Sequence, residues 1–162
     1  MPFLSAPLTL AATGGILGSA WVSGNITALS ICGVPAILAS GTTAEGLLRG
    51  WALQFKRGAS YMPTTAAAIA LSYVYLAFRH RGRGLEWRGY AAGALSNVLL
   101  IPFTLIFIGG VNNKMLAANA GTGKQLSQEA VRHLIATWGK LNAVRIFMPL
   151  AGAALGLWNF LQ

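Results

Sequence analysis

The sequence is poor in acidic residues and in cysteine. Among its 162 residues there is no aspartate, and the three carboxylates are Glu45, Glu86 and Glu129. Paired carboxylates of the kind that serve as general acid and base are therefore missing. The single Cys32 excludes a disulfide within the chain and a cysteine-based metal cluster, and two histidines far apart in sequence make a poor metal site.

Charge is scarce as well. Charged residues make up 9% of the chain, where about 25% is usual in soluble domains, and the mean hydropathy is +0.59. These values indicate an integral membrane protein. The net charge of +9 comes from basic residues that lie mostly in short connections between apolar stretches, which favours a role in membrane topology and contact with the lipid bilayer. Because basic and aromatic residues do not alternate, we exclude nucleic acid as a partner.

Four apolar stretches are long enough to cross a bilayer as helices. They lie approximately at residues 8–32, 60–78, 88–110 and 134–160, within one transmembrane domain that covers residues 1–162. The sequence therefore predicts an all-α fold, an integral membrane four-helix bundle. Glycine pairs such as Gly14/Gly18 and Gly152/Gly156 are typical of close helix contacts in lipid and suggest a homo-oligomer.

The segment between the first two predicted spans has a different pattern. Thr43–Arg57 carries Glu45, Arg49 and Trp51 among apolar residues, which is typical of a short amphipathic helix in the membrane interface. The predicted fold therefore includes one amphipathic interfacial helix between spans 1 and 2. Trp51 is expected to anchor it at the level of the headgroups.

A tight basic connection follows the second predicted span. Its four arginines, between Arg79 and Arg88, indicate the cytoplasmic side of the membrane. We expect His80, which lies within this connection, to be solvated rather than to bind a metal.

The last predicted span carries polar residues in an unusual position. Spacings of four and three place Trp138, Asn142 and Arg145 on one helical stripe, and seventeen uncharged residues follow Arg145 to the end of the sequence. Charge at this depth is costly, so the arginine is a candidate functional residue. The alternative is an arginine that extends along the apolar surface to reach the headgroups.

The predicted topology brings further polar residues to the side opposite the arginine-rich connection. We expect a ligand site there, because clefts between helices with a few polar groups are common binding sites. The residues that join the stripe on this side are Trp51, Tyr61, Thr104, Asn112 and Asn113. His133 is the one acid–base candidate near this side that titrates around neutral pH, although it lies opposite the stripe and four residues after Glu129.

Several short segments of the chain resemble the membrane family of fungal anthrone oxygenases. Their order and spacing agree over most of the sequence. The segments are Gly18-Ser19, Val34-Pro35, Arg49-Gly50-Trp51, Gly58, Pro63, Ile101-Pro102-Phe103-Thr104, Asn112-Asn113-Lys114-Met115-Leu116 and Trp138-Gly139-Lys140-Leu141-Asn142-Ala143-Val144-Arg145.

The resemblance implies a monooxygenase of aromatic polyketide pathways that converts an anthrone to its anthraquinone. O2 is then a co-substrate, and no flavin or haem is expected, although a metal stays an open alternative. Arg145 and Asn142 would stabilise the enolate oxygen, and Trp138 would stack on the substrate or donate to it. The weak candidates for the base are His133 and then Glu45, or a water in the cleft.

The remaining substrate-binding assignments are Asn113, Asn112, Thr104, Trp51, Tyr61 and Glu45. A multi-pass protein of this kind is expected in the endoplasmic reticulum or another internal membrane of a fungus. Two other functions stay open at this point. The chain could be a non-enzymatic helper or scaffold subunit, or a small transporter.

Overall fold

The computed structural model describes residues 5–162, which form helices and connections with no β-strand in that range. Four long helices follow one another, α1 (Ala6–Ser40), α2 (Ala44–Arg81), α3 (Arg88–Asn119) and α4 (Gln128–Phe160). Each is long and apolar enough to cross a membrane, and each contains the corresponding stretch predicted from the sequence. The all-α membrane fold is confirmed, and the chain is a multi-pass membrane protein.

Irregular turns lie close to prolines in several of these helices, as α1 and α4 illustrate. In α1 a π-helical turn, Leu29–Gly33, lies just before Pro35. In α4 the helix is interrupted at Arg145 and Ile146, four and three residues before Pro149. Because proline has no N–H group, the carbonyl four residues earlier lacks its usual donor and the backbone can depart from α-helical geometry there.

The structure changes the interpretation of the segment between the first two spans. Residues 44–57 are the first part of the continuous helix α2, so they do not form a separate short helix. The positive-φ glycines are Gly84 and Gly121, so Gly58 keeps a negative φ. The helix therefore continues through Gly58. Trp51 is 0% exposed and therefore packs inside the protein, so the expectation that it anchors at the headgroups is wrong. A location of this segment in the membrane interface stays a prediction.

The chain divides into two compact units, and each long helix contributes to both. Unit 1 comprises the described residues up to Gly24 together with Met62–Leu100 and Ile146–Gln162. Unit 2 comprises Asn25–Tyr61 and Ile101–Arg145.

Unit 2 is built around two buried tryptophans. Trp51 stacks on Phe55 with ring centroids 5.1 Å apart, and it meets Trp138 edge to face at 6.0 Å. Aromatic pairs favour these two arrangements because the ring faces are negative and the edges positive. Apolar side chains complete this core, namely Val34, Leu47, Leu48, Ala52, Ile108, Met115, Val131 and Ile135.

Unit 1 is built around Tyr73, which is fully buried. Glycines surround its ring, and a methyl group added at Gly15 would come within 3.0 Å of it. The helices of residues 88–98 and 147–160 approach closely, since a methyl group added at Gly93 would lie 3.2 Å from the Gly152 carbonyl oxygen. Small residues allow such contacts between helices in lipid.

Large apolar side chains on the outer faces of the helices remain uncovered. Leu71, Phe78, Leu105 and Ile106 are between 69% and 76% exposed. Exposure of this kind is unfavourable in water but favourable against lipid chains, so it agrees with the membrane assignment.

Candidate functional site

The polar stripe of α4 faces the interior of unit 2. Trp138 and Asn142 are 3% and 1% exposed, and Arg145 is half-buried. The structure therefore brings together the three residues that the helical spacing placed on one face. An arginine that reaches out of the membrane would instead be expected on an exposed face.

A continuous line of hydrogen bonds starts at Arg145. Its Nη1 donates to Oδ1 of Asn142 at 2.8 Å, and Nδ2 of Asn142 donates to Oγ of Ser30 at 2.9 Å. Ser30 Oγ donates in turn to the carbonyl oxygen of Ile26 at 2.7 Å. The amide of Asn142 is thus engaged through both its oxygen and its nitrogen. We infer that Asn142 holds the guanidinium in one orientation.

Two buried N–H groups of unit 2 have no acceptor among residues 5–162. They are Nε of Arg145 and Nε1 of Trp51. Buried donors are almost always paired, so each such case needs an explanation, and an absent ligand or water is a common one. These two atoms are therefore candidate donors in unit 2 to an oxygen atom of a ligand or water.

Trp138 uses its own N–H group within the protein. Its Nε1 donates to Oδ1 of Asn112 at 2.9 Å, and both side chains are buried. This hydrogen bond joins α4 to α3 and fixes the indole ring against Trp51. The N–H of Trp138 is therefore already engaged by Asn112 and is not free to donate to a ligand.

The other predicted site residues have varied surroundings. Tyr61 donates from its hydroxyl to Oδ1 of Asn25 at 3.4 Å. Thr104 is half-buried and begins the π-helical turn of α3, where its carbonyl oxygen accepts from the N–H of Gly109. Three of the predicted residues are exposed, namely His133, Asn113 and Glu45. None of them takes part in the hydrogen bonds that link Arg145, Asn142 and Ser30.

Sequence reasoning missed two residues of unit 2. Oγ of Ser30 accepts a hydrogen bond from Nδ2 of Asn142. The guanidinium of Arg132 donates to the carbonyl oxygens of Leu38 and Gly41 at 2.9 and 3.0 Å. The two hydrogen bonds from Arg132 satisfy carbonyl groups at the end of α1, where a helix supplies no internal donors. No pattern in the sequence pairs either residue with its partner, because the contacts cross about 90 residues or more.

His80 in the arginine-rich connection is also different from expectation. It is 6% exposed, so the expectation of a solvated side chain is wrong. Its Nδ1 lies 3.1 Å from the carbonyl oxygen of Glu86, and its ring meets that of Tyr90 edge to face at 5.0 Å. His80 lies in the last turn of α2 and is buried, while its neighbours Arg79 and Arg81 are exposed.

Metal-binding side chains do not gather in the part of the chain that the structure describes. No three histidine, cysteine, aspartate or glutamate side chains come together there.

The chain is similar in sequence to known proteins. A family model described as "Anthrone oxygenase" matches residues 51–155. The chain is 35% identical to Monooxygenase hypC of Dothistroma septosporum over 144 residues, which cover 88% of this chain and 78% of the relative. No solved structure gives a significant match.

Two further relatives match nearly their whole length. Anthrone oxygenase tpcL of Aspergillus fumigatus is 31% identical over 162 residues, covering 100% of this chain and 99% of the relative. Anthrone oxygenase AgnL2 of Paecilomyces divaricatus is 31% identical over 169 residues, covering 98% and 100% respectively. A family match that includes Trp51, Asn112, Trp138 and Asn142, together with relatives of this coverage, shows that the chain belongs to the anthrone oxygenase family.

Proposed function

We propose that this protein is a membrane monooxygenase that oxidises an anthrone to the corresponding anthraquinone with O2. The chain belongs to the anthrone oxygenase family, and the observation that carries the proposal is the state of the Arg145 guanidinium. It is half-buried and oriented by Asn142, and its Nε–H has no acceptor among the described residues. A fixed donor in a site with little water strongly stabilises negative charge that develops on a substrate oxygen.

The chemistry of the substrate class explains the need for such a donor. An anthrone that loses a proton from C10 becomes an anion with much of its charge on the C9 oxygen, because the central ring becomes aromatic. The anion gives two electrons to O2 as a C10–O bond forms, and protonation yields a hydroperoxide. Loss of water from the hydroperoxide leaves the second carbonyl. One oxygen atom stays in the anthraquinone and the other leaves as water, so no further reductant is needed.

The residues of unit 2 have distinct roles in this proposal. Arg145 donates to the enolate oxygen, and Asn142 positions Arg145, since its own amide is already engaged by Arg145 and Ser30. Trp51 supplies a second buried N–H donor. Trp51 and Trp138 stay predictions for contact with a flat substrate, since both rings are buried in the core of unit 2. Tyr61, Thr104, Asn112 and Asn113 stay predictions for the polar rim of the site.

The base and the cofactor requirement are proposals too. We propose that the reaction uses no bound cofactor and that a water or hydroxide in the site removes the C10 proton. His133 and Glu45 stay predictions for this role, and their exposed side chains would have to be reached by the substrate.

We further propose the endoplasmic reticulum or another internal membrane of a fungus as the location. The apolar helices and the fungal sources of the relatives support this assignment. A small aromatic substrate and the lipid bilayer are the proposed partners. A homo-oligomer through glycine-rich faces also stays a proposal, and Gly14 and Gly24 have open space beside them.

The proposal is tested with purified protein in detergent. A hydroxylated anthrone is mixed with the protein without oxygen, O2 is then admitted, and the anthraquinone absorbance is followed with and without a chelator. We expect acceleration over a protein-free control that survives chelation. Arg145→Gln should lower the rate about 100-fold, while Lys140→Gln, which removes an exposed charge from the same helix, should not.

Two results would change the proposal. Loss of activity on chelation would show that a metal takes part. No acceleration of several anthrones by folded protein would mean that this chain shares the family's fold without this reaction.

A further inference from the structure

The end of unit 1 where α2 leads into α3 carries a surplus of positive charge. Four arginines lie between residues 79 and 88, against the single carboxylate of Glu86. All four are exposed, namely Arg79, Arg81, Arg83 and Arg88. The side chains of the first three form no ion pair or hydrogen bond with any residue in the range 5–162. The oxidation proposed above uses none of these arginines.

The groups around the arginines leave most of this charge available to an anion. Oε1 of Glu86 accepts from two backbone N–H groups, and its Oε2 lies 3.9 Å from Nη1 of Arg88. The guanidinium carbon of Arg81 lies 5.2 Å from the centre of the Trp87 ring. A guanidinium stacked on a ring keeps the N–H groups along its edge free to donate. The one carboxylate therefore offsets only part of the positive charge.

A groove between α3 and α4 begins at this cluster. The N–H of Gly89, in the first turn of α3, donates to Oδ1 of Asn159, in the last turn of α4, so the two helices run antiparallel here. The groove has a volume of about 440 Å³. The residues that line it are Glu86, Arg88, Gly89, Ala92, Leu155, Trp158, Asn159 and Gln162.

Polar and apolar residues lie at different levels of the groove. Arg88 and Gln162 are at its outer end, because one begins α3 and the other follows the end of α4. Ala92 and Leu155 lie one helical turn or more further along the two helices, and Trp158 between these levels is 67% exposed. A cationic end that leads into an apolar channel matches a phospholipid, whose phosphate is attached to acyl chains. A soluble phosphate would leave the apolar part unused.

We propose that this groove binds an anionic phospholipid. The phosphate contacts Arg88, the other three arginines raise the local positive potential, and one acyl chain lies along Ala92 and Leu155. Basic clusters beside transmembrane helices attract anionic headgroups, and each arginine near the membrane surface strengthens the attraction. The cytoplasmic side predicted for these arginines is the side whose leaflet carries anionic lipid. This site goes beyond the proposed oxidation and does not depend on it.

Quenching of tryptophan fluorescence by lipids with brominated acyl chains tests the site without turnover. Protein in detergent micelles is titrated with brominated phosphatidylserine or with brominated phosphatidylcholine, whose headgroup has no net charge. Trp158 lines the groove, so we expect quenching that saturates at a lower mole fraction of phosphatidylserine. Trp158→Phe should remove most of this difference, because Trp21, which is also exposed, does not line the groove. Equal quenching by the two lipids would overturn the proposal.

A charge variant and its control separate specific binding from a general effect of net charge. Arg88→Gln should weaken the binding of phosphatidylserine about 5-fold. The Arg88 side chain is 80% exposed, so its replacement leaves the packing of unit 1 intact. Lys124→Gln removes an exposed positive charge from unit 2 and should leave the affinity unchanged. Equal affinity in Arg88→Gln and the parent protein would contradict the assignment of the phosphate to Arg88.

A second pair of variants tests the apolar part of the groove. Ala92→Leu places a larger side chain in the groove without changing any charge, so it should weaken the binding of phosphatidylserine. Ala151→Leu, at an exposed position of α4 outside the groove, should not. Melting temperatures show that both variants are folded. An unchanged affinity in folded Ala92→Leu would mean that the arginines attract anionic lipid without the groove, and would overturn the site.

Glycerol phosphate distinguishes a lipid from a soluble phosphate as the occupant. It carries the phosphate without acyl chains, so it should not displace brominated phosphatidylserine even in large molar excess. Displacement at an equal concentration would overturn the assignment to a lipid and favour a soluble phosphate. Because no anthrone is present, each of these results leaves the proposed oxidation untouched.

Discussion

Arg145 and Asn142 are joined by a hydrogen bond of 2.8 Å between Nη1 and Oδ1, one turn apart on α4. Arg145 also lies where the helix is interrupted before Pro149, and its backbone N–H bonds to the carbonyl oxygen of Asn142. Both the backbone and the side chain of Arg145 are thus fixed relative to Asn142. Such preorganisation is what a group that stabilises a transient anion requires, because no reorientation is then needed during the reaction.

Replacement of Asn142 should therefore reduce turnover more than substrate binding. In Asn142→Leu the guanidinium loses the acceptor that orients it, and we expect kcat to fall between about 10- and 100-fold with a smaller change in KM. Ser30→Ala should have a weaker effect, since Asn142 then still contacts Arg145. Steady-state anthrone oxidation by folded variants measures both constants. An unchanged kcat in Asn142→Leu would show that Asn142 does not position Arg145 for the reaction.

Trp138 and Asn112 should stabilise unit 2 through their shared hydrogen bond. Trp138→Phe leaves Oδ1 of Asn112 buried without its donor, which should lower the free energy of unfolding by about 1–3 kcal/mol. A double-mutant cycle with Asn112→Ala should give a coupling of about 1 kcal/mol. Unfolding in detergent measures these values. Trp158→Phe, at a position 67% exposed, is the control and should change little. A coupling near zero would mean that the bond contributes nothing to stability.

Glycine at position 156 is required by close packing. A methyl group there would overlap the ring and hydroxyl of Tyr73, so Gly156→Ala should destabilise the protein by about 1–3 kcal/mol. Gly14→Ala is the matched control, because nothing lies within 4 Å of a methyl group at that helical position. Alanine also favours the helix by about 1 kcal/mol. Thermal unfolding of both variants should shift in opposite directions, and equal shifts would contradict this account of unit 1.

Glu86 should make the protein more sensitive to acid. Its Oε1 accepts from the backbone N–H of Arg88 at 2.9 Å and of Trp87 at 3.1 Å, at the start of α3. The Arg88 N–H, followed by the Trp87 N–H and the charge of Arg88, lowers the pKa of this carboxyl. The stability it contributes is present above the pKa of an unfolded glutamate, about 4.3, and is lost as the pH falls through the lower folded value.

Melting temperatures measured between neutral pH and pH 3 test this effect. Glu86→Gln should melt below the parent protein at neutral pH, and the difference should shrink as the pH falls below about 4.3. A difference that does not depend on pH would assign the role of Glu86 to packing rather than to charge.

The sequence by itself determined the membrane class, the four helices and the shared stripe of Trp138, Asn142 and Arg145 on α4. Each depends on hydropathy or on helical spacing, which are local properties of the chain. The spacing of Trp138, Asn142 and Arg145 was sufficient to place them on one side of the helix, because an α-helix has a fixed rise and turn. The structure decided that this side faces the interior. The resemblance of short segments, in a fixed order along the chain, likewise indicated the anthrone oxygenase family.

Only the tertiary structure decided which polar atoms meet. Asn142 bonds to Ser30 across 112 positions of sequence, and Arg132 reaches Leu38 across 94. Trp51 and His80 carry sequence features typical of exposed residues, yet both are buried. Whether a side chain faces lipid, water or a neighbouring helix depends on how distant segments pack, and buried polar groups then select their partners from what that packing brings within reach.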